Sequence, residues 1–272
     1  MQRKTLAFRY LLSEQIGEGA VATVWRAFDI VEDRPVAVKL LKDVLHAEDA
    51  ARLQMEVSVV ARLDHPNIIK FLDQGVTKQG QRFVVMELLT GETLRERLVD
   101  GGSLKGMAAL SLLIGVFSAL EEAHSHKVVH RDVKPENVML LDADDRIKLL
   151  DFGMAKVVGG SVPSLTMAGH LFGTPHYMAP ERIQGASVHA PADIYSAGVM
   201  TYEVLTGDRP FKGDTAEDIM RQHLRGDPPA MGDTPQALVS LTFRCLSKRP
   251  EGRPGAGEVL QALQTVSPDD WT

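Results

Sequence analysis

The sequence predicts an α+β protein, with a strand-rich first third followed by a mainly helical remainder. Short runs rich in β-branched residues, such as 36–41 and 82–86, recur in the first third and are typical of strands. The apolar run 107–120 is interrupted only by serine and glycine, which is typical of a buried helix. A chain of 272 residues is long enough for one large domain or for two lobes that share a cleft.

The composition indicates a globular protein and argues against several classes of function. Hydrophobic residues make up 44% of the chain and charged residues 24%, which is enough to fill a core and cover it with a polar surface. The formal net charge of -6 argues against general nucleic-acid binding, because no basic surplus is available to neutralise phosphates. The single cysteine, Cys245, rules out an intramolecular disulfide and indicates a reducing compartment.

The sequence predicts no membrane segment in this chain. The N-terminus lacks the long apolar core of a signal peptide, and the apolar run 107–120 is too short to span a bilayer. We therefore expect a cytoplasmic location, either as a separate protein or as the cytoplasmic domain of a longer, membrane-anchored one.

Two polar clusters interrupt the apolar runs in the middle of the chain. Residues 130–137 are mostly polar and lie between the apolar runs 128–129 and 138–141, which predicts a loop held between two short buried strands. A second polar cluster, residues 151–153, follows one further apolar strand, 147–150. Either cluster alone reads as a solvated turn, but two at this spacing indicate a functional site.

The residue types in these clusters fit phosphoryl transfer. Asp132 can orient a hydroxyl nucleophile and accept its proton, and Lys134 can neutralise charge on the moving phosphoryl group. Asn137 and Asp151 offer the hard oxygen ligands that magnesium prefers. The nearby histidines do not indicate zinc, because no cysteine or further carboxylate completes a four-donor set.

Residues 130–137 resemble the catalytic loop of protein kinases, H-R-D-x-K-x-x-N, and residues 151–153 resemble the Asp-Phe-Gly magnesium motif of that family. The resemblance implies an ATP-dependent enzyme with Mg²⁺, or Mn²⁺ in its place, as cofactor. It also implies a two-lobed protein-kinase-like fold. A small β-rich N-lobe with one key helix would occupy residues 1–86, and a larger, mainly helical C-lobe would occupy residues 87–272.

A glycine-containing turn near the N-terminus resembles the lid that covers ATP phosphates in protein kinases. Residues 16–24 read I-G-E-G-A-V-A-T-V, and the alternating run 21–25 predicts that a strand follows the turn. A dinucleotide-binding Rossmann loop would instead be followed by a helix. The family pattern G-x-G-x-x-G-x-V has its third glycine replaced by Ala22 here, which we expect to tune nucleotide handling without abolishing it.

The strand 36–41 resembles the V-A-I-K motif of the family, and the resemblance implies that Lys39 binds the α- and β-phosphates of ATP. Its expected partner is Glu56, on a helix predicted for residues 47–63 from one apolar stripe. Glu48 is a less favoured alternative to Glu56.

The end of the strand 82–86 resembles the adenine pocket of the family. The resemblance implies that the Met86 side chain lies at the back of that pocket and that Glu87 and Leu89 offer backbone groups to adenine. The residues it implies for nucleotide binding are Ile16, Gly17, Gly19, Val24, Ala37, Lys39, Met86, Glu87, Leu89 and Met139.

A long loop, residues 158–171, is rich in glycine, serine and proline, and long loops of this kind are often functional. It ends in residues 173–181, G-T-P-H-Y-M-A-P-E, which resemble the segment that docks a protein substrate and include Thr174. The G-T-P-x-Y pattern of this segment, together with Lys134, is similar to that of serine/threonine kinases. The resemblance therefore implies that the acceptor of the phosphoryl group is a protein hydroxyl.

The resemblance also implies regulation, because an arginine before the catalytic aspartate, here Arg131, usually accompanies phosphorylation of this loop. Thr166 is the favoured acceptor, with Ser161 and Ser164 as alternatives, and a phosphate there can gather arginine and lysine side chains. The expected contacts are Arg131, Lys156 and Arg52.

Three further side chains have structural roles by resemblance. Asp193 is expected to brace the backbone of the catalytic loop, and His130 to pack behind Phe152. Arg253 is expected to pair with Glu181, and losing one partner of a buried pair costs about 3–5 kcal/mol.

The resemblance covers nearly the whole chain, from residue 16 to residue 253, and the compact loops and short inserts look like those of bacterial serine/threonine kinases of eukaryotic type. The implied partners are ATP, protein substrates carrying serine or threonine, and a second copy for autophosphorylation; nucleic acid is not expected. The alternative is a pseudokinase, which Ala22 favours and the intact Lys39, Asp132 and Asp151 disfavour. A small-molecule phosphotransferase is disfavoured by the docking segment, residues 173–181.

Overall fold

The computed structural model describes residues 4–19, 22–42, 60–142, 146–152 and 175–271. Within these residues the chain folds into a small lobe built on an antiparallel sheet and a larger, helical lobe. The predicted α+β, two-lobed fold class is therefore confirmed.

The small lobe is a six-stranded antiparallel sheet with the strand order β1-β2-β3-β4-β6-β5. Its central strand, β4, is buried on both faces from Val36 to Leu41, which explains its continuous apolar run. Val38 pairs with Val85 across the sheet, and both belong to the apolar core of the lobe. The strands are β1 Lys4–Leu6, β2 Tyr10–Glu18, β3 Ala22–Asp29, β4 Arg34–Leu41, β5 Phe71–Val76 and β6 Arg82–Glu87.

The large lobe is organised around two buried helices, α2 and α4, which pack against each other. Gly198 on α4 permits close packing against α6, because an added Cβ would lie 2.7 Å from the Cβ of Cys245. The α-helices of the described residues are α1 Leu94–Gly101, α2 Gly106–Ser125, α3 Pro180–Ile183, α4 Ala190–Thr206, α5 Ala216–Arg225, α6 Gln236–Cys245 and α7 Ala256–Gln264.

A second, three-stranded sheet lies in the large lobe and positions both polar clusters. Its strands are β7 Gly91–Thr93, β8 Val138–Leu141 and β9 Ile147–Leu149, in that order. The catalytic-loop residues lead directly into β8, and Asp151 follows β9 by two positions. β8 and β9 are antiparallel neighbours, so the start of β8 lies beside the end of β9. The two polar clusters therefore meet at the same end of these strands.

Helix α2 is the one described helix whose length and composition would allow a membrane span, with 20 residues and a mean hydropathy of 1.5. It extends beyond the apolar run 107–120, which by itself is too short to span a bilayer. Its most apolar side chains, including Leu113, Val116 and Leu120, are fully buried in the core of the large lobe. Packing against that core therefore accounts for the apolar character of this helix.

Two local predictions are wrong. Residues 128–129 do not form a strand, because the Val128 N–H bonds to the Ala123 carbonyl at the end of α2 and is not available to a neighbouring strand. The apolar run 68–72 predicts a strand from residue 68, but β5 begins at Phe71, since residues 67–70 bond to β9 and to the end of β6 instead. Residues 74–81 predict a turn, but β5 continues to Val76.

Candidate active site

Asp193 holds the backbone of the catalytic loop in place. Its Oδ2 accepts a hydrogen bond from the His130 N–H and its Oδ1 one from the Arg131 N–H, both at 2.7 Å. The carboxylate is buried on α4, and His124 Nε2 lies 2.9 Å from its Oδ2. These bonds stabilise Arg131 at a φ of 69°, a left-handed conformation that is unfavourable for a side chain with a Cβ. The predicted bracing is confirmed.

Asp132, Lys134 and Asn137 converge on one carboxylate. Lys134 Nζ lies 2.7 Å from Asp132 Oδ2, and Asn137 Nδ2 donates to the same oxygen at 3.0 Å and to the Asp132 carbonyl at 2.7 Å. Burial alone would raise the pKa of Asp132, but the Lys134 ammonium and the Asn137 amide outweigh it and hold this pKa below its usual range. The carboxylate is therefore ionised at neutral pH and can accept a hydroxyl proton.

Asp151 faces the small lobe and binds its buried lysine. Lys39, on β4, is 8% exposed, and its Nζ lies 2.5 Å from Asp151 Oδ1. Asp151 has a φ of 60°, a conformation that costs about 1–3 kcal/mol for a non-glycine residue and clusters at functional sites. The structure thus connects the two lobes by an ion pair across the site. Glu56, the expected partner of Lys39, lies outside the described residues.

His130 ties the two polar clusters together from inside the fold. Its Nδ1 accepts from the Asp132 N–H at 3.2 Å, and its Nε2 lies 2.6 Å from the Leu150 carbonyl, so Nε2 carries the proton. Its ring packs on Phe152 with centroids 4.5 Å apart, as predicted. Burial lowers the pKa of His130, which keeps this ring neutral. The Leu150 N–H also donates to the Asn137 carbonyl at 2.8 Å.

The donor groups fit a magnesium ion. The amide nitrogen of Asn137 is bound to Asp132, which leaves its side-chain carbonyl oxygen as a cation ligand, and Asp151 supplies a carboxylate. No group of three or more His, Cys, Asp or Glu side chains in the described residues could hold a metal. Mg²⁺ takes one or two protein ligands and completes its shell with phosphate oxygens and water, so the two donors of Asn137 and Asp151 would be sufficient.

Most residues implied for nucleotide binding lie on the strands of the small lobe and on β8, while Gly19 and Leu89 follow the ends of β2 and β6. Gly17 pairs with Val24 between β2 and β3, and the Gly19 N–H donates to the Ala22 carbonyl at 2.9 Å, which closes the turn. Met86 packs in an apolar cluster with Leu89. The other members are Ile16 on β2, Ala37 on β4 and Met139 on β8.

Glu87 joins the end of β6 to β9, an arrangement that the sequence analysis missed. Its Oε1 lies 2.8 Å from Lys148 Nζ and accepts from the Lys70 N–H at 2.7 Å. Lys148 also donates to the Ile68 carbonyl at 3.0 Å. The Glu87 N–H is bound to the Lys70 carbonyl at 3.0 Å, so this N–H is already occupied.

The docking segment is anchored at both ends of its described part. Arg253 donates to both oxygens of Glu181, at 2.7 and 2.8 Å, and its side chain is fully buried, which confirms the predicted pair. Tyr177 OH donates to Glu203 on α4. Thr174 and the loop hydroxyls Ser161, Ser164 and Thr166 lie outside the described residues.

Two arginines near the site were not recognised from the sequence. Arg95 contacts the catalytic loop, α4 and Tyr177. Arg182 Nη1 donates to the Arg131 carbonyl at 2.5 Å. The only sequence signal for Arg182 was its place directly after the A-P-E motif, and Arg95 carries no signal because its partners are distant in sequence.

Comparison with known proteins agrees with this geometry. The model of the protein kinase domain family matches residues 10–263. The chain belongs to the protein kinase family. The match includes every residue described above for the site, from the glycine-containing turn to Arg253.

Bacterial serine/threonine kinases are among the relatives of this kinase domain. It is 38% identical to serine/threonine-protein kinase pkn3 of Myxococcus xanthus, over 97% of this chain and 51% of that protein. It is 37% identical to PkaA of Streptomyces coelicolor, over 95% of this chain and 50% of that protein. It is 40% identical to PknL of Mycobacterium tuberculosis, over 84% of this chain and 57% of that protein. The chain thus spans about half the length of these relatives.

Proposed function

We propose that this chain is an ATP-dependent serine/threonine protein kinase, which transfers the γ-phosphoryl group of Mg-ATP to a protein hydroxyl. The observation that carries the proposal is the single carboxylate of Asp132, held ionised by Lys134 and Asn137 in the loop before β8. The pairing of β8 with β9 supports the proposal. It brings the loop that carries Asp132 close to Asp151, and therefore a base close to a cation site.

Asp132 acts on the acceptor hydroxyl. Its ionised carboxylate accepts a hydrogen bond from the serine or threonine O–H, which points the hydroxyl oxygen at the phosphoryl group. As the new O–P bond forms and the bond to the leaving phosphate breaks, the hydroxyl proton passes to the Asp132 carboxylate. Lys134, 2.7 Å from Asp132, stabilises charge on the transferring group. Catalysis of this kind depends on positioning and electrostatics.

Lys39 and Asp151 act on the nucleotide. In the structure they bind each other, and with nucleotide bound Lys39 would hold the α- and β-phosphates with Glu56 as its partner. Asp151 and Asn137 would hold the metal, Mg²⁺ or Mn²⁺, which supplies neutralising charge to the phosphates. The Met86 cluster would contact adenine, and Glu87 and Leu89 would bind it through the backbone.

The substrate and regulatory assignments rest on the family. Thr174 would contribute to docking of the protein substrate, and Arg131 would bind a phosphorylated loop. The partners are proteins carrying serine or threonine and a second copy of the chain during autophosphorylation, and the location is cytoplasmic. The lobes would divide between residues 86 and 87, so that ATP lies between residues 1–86 and 87–272.

The loop switch is tested by mapping phosphates after incubation with Mg-ATP. We expect phosphate on Thr166, with Ser161 and Ser164 as the lesser sites, because a phosphate there can gather cationic side chains such as Arg131. A Thr166→Ala variant should lose most activity. Full activity in that variant, with Ser161 and Ser164 unmodified, would contradict the switch.

The transfer reaction is tested with γ-labelled ATP and a generic protein substrate. We expect label on phosphoserine and phosphothreonine after acid hydrolysis, and none when EDTA removes the divalent metal. Label on tyrosine alone would refute the serine/threonine assignment. Label on a small alcohol but not on protein would instead indicate a small-molecule phosphotransferase.

A further inference from the structure

One guanidinium, that of Arg95 near the start of α1, joins three elements around the site. Its Nε donates to Glu136 Oε1 at 2.9 Å, and its Nη1 donates to Glu203 Oε1 at 2.8 Å. Its Nη2 donates to Glu203 Oε2 at 3.3 Å and to the Tyr177 hydroxyl oxygen. The planar fork of arginine fixes the directions of these bonds, which a lysine could not reproduce.

The cluster is balanced in charge, and it is buried on the side of Glu203, whereas the Glu136 side chain is 44% exposed. Glu203 is only 4% exposed; burial would raise its pKa, but hydrogen bonds from Arg95 and Tyr177 outweigh this and lower it. Burial lowers the pKa of Arg95, and its bonds to Glu203 reverse this and raise it. Both groups are therefore charged, and a buried pair of this kind holds its geometry, because breaking it leaves an unpaired charge.

The partners of Arg95 belong to the two parts that must meet during the reaction. Glu136 lies in the 3-10 turn Pro135–Asn137, directly between Lys134 and Asn137, which both bind the Asp132 carboxylate. Tyr177 ends the 3-10 turn Pro175–Tyr177 of the docking segment. Arg95 thus connects the loop that carries the base to the segment implied to carry the substrate.

A second cation, Arg209, supports part of the cluster only. Its Nε lies 3.3 Å from Glu203 Oε1, and its guanidinium carbon is 5.8 Å from the centre of the Tyr177 ring. Arg209 contacts Glu203 and Tyr177, whereas Arg95 contacts these two residues and also binds Glu136. Arg209 can keep Glu203 neutralised if Arg95 is lost, but it does not reproduce the bond to the catalytic loop.

We propose that Arg95 is a positioning residue for the protein substrate, which sets the docking segment relative to Asp132 through Glu136, Glu203 and Tyr177. The inference rests on the proposed kinase function. It assigns Arg95 no contact with the nucleotide, since none of its partners is among the residues implied for nucleotide binding. Its loss should therefore affect kinetic constants for the protein substrate and spare the KM for ATP.

The test compares Arg95→Met and Arg95→Lys with Arg97→Met, an exposed arginine two positions along the same helix. We expect Arg95→Met to lower kcat/KM for a protein substrate at least about tenfold, because small misplacements of reacting groups are costly. The KM for ATP should change less than about twofold, since no nucleotide contact is lost. Arg95→Lys should recover little, and Arg97→Met should match the wild type.

A double variant, Arg95→Met with Glu203→Gln, guards against simple unfolding. This variant removes both charges together, so no unpaired carboxylate is left buried. Circular dichroism and thermal unfolding test whether it is folded. A folded double variant with wild-type constants for protein substrate would overturn the proposal, as would an equal rise in the KM for ATP. A wild-type protein that transfers no phosphate would overturn the kinase function, and the positioning role with it.

Discussion

At the scale of single residues, contacts within one loop could be predicted and contacts between loops could not. Asp132, Lys134 and Asn137 are close in sequence, so their spacing alone indicated that they act together, and the structure brings them onto one carboxylate. Arg95 lies 41 positions from Glu136 and 108 from Glu203. No local pattern distinguishes Arg95 from the other 29 lysines and arginines of the chain. Its contacts form only when α1, α4 and the catalytic loop have packed together.

The buried histidine His223 predicts sensitivity to acid. Its Nδ1 lies 3.0 Å from the Tyr195 hydroxyl oxygen, and burial, followed by the nearby Lys248, lowers its pKa to about 3. The unfolded chain protonates this ring near its ordinary pKa of 6.5, so the unfolded state gains protons first as pH falls. Stability is full above 6.5 and decreases below it by up to about 1.4 kcal/mol per pH unit from this group.

The measurement is urea unfolding of the wild type and His223→Gln between pH 5 and pH 8. Gln offers both a donor and an acceptor to Tyr195 and does not titrate, so the variant should lose the His223 part of the pH slope. The remaining slope should come from His65, His130 and His176, whose pKa values burial also lowers. An identical slope in both proteins would exclude His223 as a source.

Among the elements, regular sequence patterns predict the helices and strands correctly, whereas the irregular connections between them are not predicted. The apolar strand β4 and the helix α2 were both predicted, because each presents a nearly continuous apolar pattern. The apolar run 128–129 predicts a strand, but the Val128 N–H binds the Ala123 carbonyl at the end of α2. Apolar character shows that residues such as Val128 are buried, but not which hydrogen-bond partner their backbone will find.

The ion pair between α3 and the segment before α7 predicts a large loss of stability. Arg253 binds Glu181 and also donates to the carbonyls of Pro191, Ser247 and Lys248. Arg253→Met should lower the free energy of unfolding by about 3–5 kcal/mol, because it leaves Glu181 unpaired. Chemical denaturation of the two proteins measures this difference.

The matched control is the exposed pair Lys212–Asp208, at 2.7 Å. Lys212→Met should change stability by less than about 1 kcal/mol, as exposed pairs contribute little. Equal losses in Arg253→Met and Lys212→Met would show that burial of the Arg253 pair has no energetic consequence.

At the scale of the whole molecule, the two lobes meet through a few specific contacts. Lys39 reaches Asp151 across the site, and the Glu87–Lys148 pair connects the end of β6 to β9. The sequence predicted both lobes and the site between them, because the motifs follow one another in the order of the family. It could not predict the direct bond from Lys39 to Asp151, since its motif assigned that lysine to phosphates and Glu56.

We expect Asp132 to be required for phosphoryl transfer but not for binding of the nucleotide. The most direct measurement determines Mg-ATP affinity and transfer to protein in parallel, for the wild type and Asp132→Asn. Both proteins should bind Mg-ATP alike, and the variant should transfer phosphate at least about a hundredfold more slowly, since it has lost its base. Equal transfer rates would contradict this account, and tight binding without transfer in the wild type would instead identify a pseudokinase.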